Sequence, residues 1–353
     1  MPIFSLLADP DAYNPCSNGD MRVDNDYREH WAAHFERHFE TVLRLALEVY
    51  GPSASERIAA CRLDFVAFVR KARYEPLTFP RLDLLVFDVV RQEKLIAHGL
   101  PDPFEKAKAR ENEASLPLYP KVVAELDSHD DPREALLLAT EGIFAGNIFD
   151  LGAGPTTKMF TENSPDFFAV RDGLDGKRPW LVDQFDAMAA RVLTAPARYR
   201  QAMFFCDNAG SDFILGVLPF CRLVAKSGMR VLIAANHLPA LNDITAKELN
   251  ALLPRLEEVD PILRALVRED RIRVIDSGGI APLIDLRHVS GEVNDHAGQT
   301  DLLILEGMGR ALESNFDARF KVDAIKLAMI KDEAVAERHG GKNFNTVCRF
   351  DAA

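Results

Sequence analysis

Three apolar runs in the second half of the chain each end at a polar loop carrying an acid, and each is followed by a helix-like stretch. Ala202-Met203-Phe204-Phe205-Cys206 stops at Asp207-Asn208-Ala209-Gly210, and a long apolar run from Phe213 to Ala225 follows. Met229 to Ala235 stops at Asn236-His237, and the loop through Asn242 and Asp243 leads to Thr245-Ala246-Lys247-Glu248, a helix start. Asp301 to Leu305 stops at Glu306-Gly307-Met308-Gly309-Arg310. Continuously apolar runs of this length read as buried strands, and strand, turn and helix in this rhythm build a parallel sheet with crossover helices. Further strands are expected near 271–276 and 344–350. The fold class is therefore α/β.

Parallel strands share one end of their sheet. Asp207, Asn208, Asp243 and Glu306 are therefore expected to converge there, where α/β sheets bind ligands. Each acid alone reads as a turn or a helix N-cap. Three successive strand ends with acids are harder to explain as independent caps, and oxygen donors of this kind favour Mg²⁺, Mn²⁺ or a similar ion. A metal or phosphate site is the expectation. Strand alternation points Cys206 away from Asp207, so it is expected to be core. His237 is expected to be structural or exposed.

The first half lacks this rhythm. Residues 25–50 place Trp31, Phe35, Phe39, Val42, Leu43 and Leu45-Ala46 at spacings of three and four, which predicts a helix. Residues 53–71, Leu82 to Glu93, Lys121 to Leu126 and Glu134 to Phe149 also read as helical. A boundary near Thr194-Ala195-Pro196-Ala197 would divide the chain into an α-helical part, 1–195, and an α/β part, 196–353. Pro219 lies inside the helix expected over 212–227, where a bend or break is predicted.

Of the 353 residues, 48% are hydrophobic and 27% charged, the balance of an ordinary globular protein. The net charge of −12 argues against a nucleic-acid partner. A metal and a few local cations still let an acidic protein bind phosphate. The five cysteines, at 16, 61, 206, 221 and 348, contain no Cys-x-x-Cys pair, so neither a disulfide framework nor structural zinc is expected. No stretch is apolar and long enough to span a bilayer, and the N-terminus lacks the basic start of a secretory signal. A cytoplasmic protein is the expectation. No GxGxxG or Walker pattern supports a nucleotide cofactor.

Asp207-Asn208-Ala209-Gly210, Asp212 to Phe220, Ala234-Ala235-Asn236, Pro239 to Thr245 and Glu306-Gly307-Met308-Gly309-Arg310 together resemble the metal-dependent damage-control phosphatases. The subgroup indicated is the one that includes 4′-phosphopantetheine phosphatases. Gly142 to Gly152, and Asp102-Pro103-Phe104 with Lys108, Glu111 and Asn112, extend the match upstream, while the first 80 or so residues match poorly. The resemblance implies a Rossmann-like α/β/α sandwich joined to an α-helical N-terminal domain, with the active site between them. It implies one divalent ion (Mg, Mn, Co or Ni) on Asp207, Asn208 and Asp243. Ala209 stands where relatives often carry Ser, which bears on substrate preference and not on the metal.

The same resemblance assigns Lys331 to the phosphoryl group. Lys326, Gly309, Asn112 and Asn147 are expected to bind substrate or line the cleft. Arg310 is expected to grip phosphate, or to pair with Glu306 or Asp317. Glu306 reads as a general base or as a partner of a ligand. Attack by water is favoured over attack by Asp207, because the Asp-x-Asp of aspartyl-phosphate enzymes is absent. The implied reaction is hydrolysis of a small phosphorylated metabolite, 4′-phosphopantetheine or its oxidised forms; membrane partners are not expected and a homodimer is left open. A sugar phosphatase and a metal- or metabolite-binding protein without turnover are the alternatives.

Overall fold

A computed structural model describes residues 1–17, 19–148, 167–173, 178–194 and 198–353. Its centre is a seven-stranded sheet of β1 (Val182–Asp183), β2 (Gln201–Phe205), β3 (Arg230–Ala235), β4 (Ile272–Asp276), β5 (Leu302–Glu306), β6 (Asp323–Met329) and β7 (Thr346–Asp351). The strand order is β1-β7-β6-β5-β2-β3-β4. β4, β3, β2, β5 and β6 run parallel, as the sequence rhythm predicts. β7 departs from it by pairing antiparallel with β6. β1 and β6 were not expected as strands. β1 is only two residues long, and Lys326 interrupts the apolar run of β6. The sheet tolerates this lysine because its Nζ donates to Phe316 O at 2.7 Å, Ala318 O at 2.9 Å and Asp351 Oδ2 at 2.9 Å.

The longer helices of the first half, among the described residues, are α1 (Asn25–Tyr50), α2 (Ser55–Tyr74), α3 (Leu84–Ala97), α4 (Glu105–Ser115), α5 (Tyr119–Asp127) and α6 (Pro132–Ile148). α1 starts where the Asp24 side chain accepts from Tyr27 N, and it ends at Gly51 with φ of 74°. Trp31, Phe35, Phe39, Val42 and Ala46 form its buried face. The helices cover both faces of the sheet. α1–α4 pack with Met203, Phe205, Leu232, Leu303 and Leu305, whereas α5 and α6 pack with Ala202, Phe204, Ile233 and Ile304. Phe149 to Gly152 of the upstream match, and Ala195-Pro196-Ala197 of the expected boundary, lie outside the described residues. Among the described residues, no helix is long and apolar enough to cross a membrane.

The segment after β2 changes its helical form close to Pro219, where a bend or break was expected. Asp212–Val217 is a π-helix, and an α-helix follows over Leu218–Lys226. Pro219 therefore sits in the first turn of the α-helical part, where its missing N–H costs little. A second π-helix, Met308–Glu313, follows β5. π-turns are rare and frequent at functional sites; both of these begin within a few residues of the acid-bearing strand ends.

Candidate active site at the carboxyl ends of the strands

The loops after β2 and β3 are tied together by backbone. Ile244 N donates to Asp207 O at 3.0 Å and Ala209 N to Asn242 O at 2.9 Å. Asn208 and Asp243 form an isolated β-bridge. The loop after β5 closes over Asp207 through Gly307, whose φ is 94°. A Cβ on Gly307 would lie 2.4 Å from Asp207 Cγ, so only glycine fits there. α6 approaches equally closely, since a Cβ on Gly146 would lie 2.8 Å from the Cα of Asp212 and one on Gly216 would lie 2.9 Å from Gly142 O. That glycine contact carries Asn147, at the end of α6, into the site.

Asp207, Asp212 and Glu306 each present a carboxylate oxygen within 4.8 Å of the others. Asn147 Nδ2 donates to Asp212 Oδ2 at 2.8 Å and Glu306 Oε1 at 3.1 Å. Asn208 Nδ2 lies 2.9 Å from both Asp207 Oδ2 and Asp212 Oδ2. Glu306 Oε2 accepts from Asp207 N at 2.9 Å. Arg310 donates to Asp207 Oδ1 through Nη1, and through Nη2 to Asp243 Oδ2 at 2.8 Å and Asn236 Oδ1 at 3.1 Å. Lys331 Nζ donates to Asn147 O at 3.0 Å.

All of these side chains are buried. Burial pushes the Asp212 carboxyl up to about 6, against the opposing pull of Lys331, and pulls the Arg310 guanidinium down to about 10. Asp207, Asp212, Asp243 and Glu306 thus face Arg310 and Lys331, which leaves an excess of buried negative charge. Asp212 Oδ1 and Asn147 Oδ1 are enclosed acceptors without a hydrogen-bond partner. Buried oxygens left in this way, beside surplus carboxylate, are the donor set of a hard divalent cation.

α4 braces both ligand loops. Asn112 Oδ1 accepts from Gly210 N at 2.8 Å. Lys108, itself buried, pairs with Asp102 at 3.0 Å and Glu248 at 2.7 Å. Glu248 in turn accepts from Thr245 N in a capping box two residues beyond Asp243.

The cluster opens into a cleft of about 800 Å³, lined by Asp207, Asn208, Asp243, Gly309 and Lys331 and, across from them in sequence, by residues of α1. Of the residues predicted from sequence, Asp207, Asn208, Asp243, Glu306, Arg310, Asn147, Lys331 and Gly309 come together here. Arg310 is 1% exposed and bonds the carboxylates of Asp207 and Asp243, so its ion pairs are with these acids and not with Glu306 or Asp317. Glu306 is fully enclosed and holds Asp207 N, the geometry of a ligand's partner. Asn112 clamps the Gly210 loop, and Lys326 points to Asp351 and two carbonyls, away from the cleft lining. Cys206 is core, and His237 pairs with Asp276 at an exposed position. Sequence reasoning missed Asp212 as a cluster member, Asn236, and the whole contribution of α1. His30, His34 and His38, four residues apart beside the apolar stripe of α1, were the available signal.

The fold and this acid-lined cleft define an α/β protein with a buried carboxylate cluster, able to hold a cation, at the carboxyl edge of its sheet. The family model described as the damage-control phosphatase ARMT1-like domain matches residues 43–347, and the chain belongs to that phosphatase family. It is 38% identical over 262 residues to a damage-control phosphatase of Arabidopsis thaliana, covering 74% of this chain and 70% of the relative. It is 29% identical over 398 residues to the 4′-phosphopantetheine phosphatase of Mus musculus, covering 98% of this chain and 48% of the relative. The chain spans less than half the length of several curated relatives it matches, 42% and 41% in two further cases. A DUF89 family protein from Pyrococcus horikoshii shares the fold, with a TM-score of 0.64 at 17% identity over 90% of this chain and 96% of that one.

Proposed function

We propose that this chain hydrolyses the phosphomonoester of a small metabolite, with 4′-phosphopantetheine or its oxidised forms as the favoured substrate. The observation that carries the reading is the buried cluster of Asp207, Asp212 and Glu306, with Lys331 beside it at the cleft wall. The mouse relative's name supports the substrate. We place the protein in a reducing compartment such as the cytoplasm, because all five cysteines are free thiols.

Asp207, Asn208, Asp212 and Asp243 would hold one divalent ion, Mg²⁺, Mn²⁺, Co²⁺ or Ni²⁺. When bound, such an ion supplies Lewis acidity toward phosphoryl oxygen. Lys331 reaches the cleft and neutralises charge on the transferring group, where most stabilisation lies in such reactions. Glu306 and Asn147 fix the orientation of Asp207 and Asp212. Arg310 keeps the carboxylates of Asp207 and Asp243 apart at a set distance. Water is the preferred nucleophile.

Phosphate release from p-nitrophenyl phosphate, with each of the four metals, tests the reading on wild type and Asp207→Ala. Equal rates in the two proteins would reject the site. A panel of phosphorylated metabolites tests the substrate. A lead of about tenfold for sugar phosphates, worth about 1.4 kcal/mol at the transition state, would transfer the assignment to them.

A further inference from the structure

The cleft's volume of about 800 Å³ matches pockets that enclose a whole organic ligand, far more than a phosphoryl group occupies. The part of the wall made by α1, α3, the end of the second π-helix and the loops after β6 is therefore available to the leaving group. Charges on that wall largely neutralise one another. Arg91 pairs with Asp88, both buried, and its guanidinium stands 5.3 Å above the Phe35 ring. His30 Nε2 lies 3.1 Å from Asp332 Oδ2. Arg37 sits at the exposed rim.

What remains on the wall is neutral hydrogen-bonding capacity. Glu313 and Asn343 line the cleft, and Glu313 Oε1 and Asn343 Oδ1 are buried just behind that lining without a hydrogen-bond partner. Burial, with Asp332 and Asp88 nearby, pushes the Glu313 carboxyl well above the usual carboxylate range, which favours its uncharged, donating form. Burial holds the His34 imidazole down to about 4, and its ring packs at 5.1 Å from Trp31 and 5.8 Å from His38. Unpartnered polar atoms inside a protein are costly, and their natural complement is a ligand that bonds them.

We propose that Glu313, Asn343 and His34 determine specificity by gripping an uncharged chain, bearing amide or hydroxyl groups, on the leaving group of the phosphate ester. A second anion brought to this wall finds Arg91 already paired with Asp88 and meets the Asp332 carboxylate, so it gains no free counter-charge within the wall and is disfavoured. The inference rests on the phosphatase reading above. A site built to hydrogen-bond a substrate group discriminates sharply against analogues lacking it, because its own polar atoms are then left unpaired.

The test uses three phosphomonoesters. 4′-Phosphopantetheine has an amide-bearing chain with a neutral end, 4′-phosphopantothenate ends in a carboxylate, and p-nitrophenyl phosphate has no chain. We expect wild type to favour the neutral chain over the carboxylate by about tenfold or more in kcat/KM. Glu313→Leu lowers the ratio of kcat/KM for 4′-phosphopantetheine to that for p-nitrophenyl phosphate by about tenfold, mainly through KM, while Glu313→Gln keeps it within about threefold. Asn343→Leu lowers the same ratio and stands in if Glu313→Leu fails to give a native melting transition. Equal losses on both substrates, an unchanged ratio, or no preference between the two long chains overturns the inference and leaves the phosphatase reading intact. No phosphate release from any ester by wild type overturns both.

Discussion

Arg310 Nη2 lies 2.8 Å from Asp243 Oδ2, while the other terminal nitrogen of the same guanidinium holds Asp207. One side chain from the π-helix after β5 thus fixes the spacing of acids that follow β2 and β3. Arg310→Met leaves two buried carboxylates without their counter-charge. Losing one partner of a buried ion pair costs about 3–5 kcal/mol, and we expect a loss of that order in urea unfolding. Arg310→Lys restores charge but not the two-pronged geometry. It is expected to recover part of the stability and little of the phosphate release. A lysine variant with wild-type turnover would show that the fork is dispensable.

Asp212 is the residue whose role separates the observed cluster from the predicted ligand set. Its Oδ1 is buried without a hydrogen-bond partner, beside carboxylates of Asp207 and Glu306. A metal that binds only the folded protein at a hundredfold excess over its Kd stabilises it by about 2.7 kcal/mol. We expect Mn²⁺ to raise the melting temperature of wild type accordingly, and excess chelator to remove both that shift and the activity. Asp212→Asn keeps the shape of the side chain and is expected to abolish most of the shift. A full shift in this variant would restrict the ligands to Asp207, Asn208 and Asp243.

His34 makes the pH dependence of stability asymmetric. Burial lowers its folded-state value from 6.5 to about 4. Between these values the unfolded chain holds the proton and the folded protein does not, so unfolding takes up protons and stability falls as pH drops. This contribution is fully present above 6.5 and is lost on acidification toward 4. His34→Gln removes the titrating group. Urea unfolding from pH 4.5 to 7.5 should show a shallower fall in the variant than in wild type. Parallel curves would place the proton uptake on other groups.

The strand ends were legible because their physics is local. Continuous apolar runs that stop at Asp207, Asn236 and Glu306 need no tertiary information to read as buried parallel strands. β6 was hidden because Lys326, a strand-interior lysine, is compensated only by Phe316, Ala318 and Asp351, which the sequence does not show to be adjacent. The antiparallel course of β7 is likewise set by its partner, not by its own residues. The carboxylate partners of Arg310 were hidden for a related reason. Its position next to Gly309 is compatible with phosphate or carboxylate, and only the backbone ties between the β2 and β3 loops bring Asp207 and Asp243 to its two arms. The spacing of His30, His34 and His38 marked a polar stripe on α1 but not its destination, since these imidazoles and Glu313 meet across nearly the whole length of the chain.

Gly307 offers the sharpest test that the position of Asp207 governs activity. Its φ of 94° lies where L side chains are strained, and an added Cβ would stand 2.4 Å from both Cγ and Oδ2 of Asp207. The neighbour is a short, buried carboxyl held by Glu306 through the backbone and by Arg310 through Oδ1, so it has little room to withdraw. Gly307→Ala therefore combines a backbone cost of about 1–3 kcal/mol with displacement of the carboxylate. Displacing a group that positions the reacting phosphate by even about an ångström can cost about a hundredfold in rate. We expect kcat to fall by that order, with a modest drop in melting temperature and a weaker metal-induced shift. Gly340→Ala is the control: its φ is 69°, and a Cβ there would meet nothing within 4 Å. It carries a positive-φ strain of its own without touching Asp207, so matching losses of kcat in the two variants would trace the effect to strain in general and not to the carboxylate.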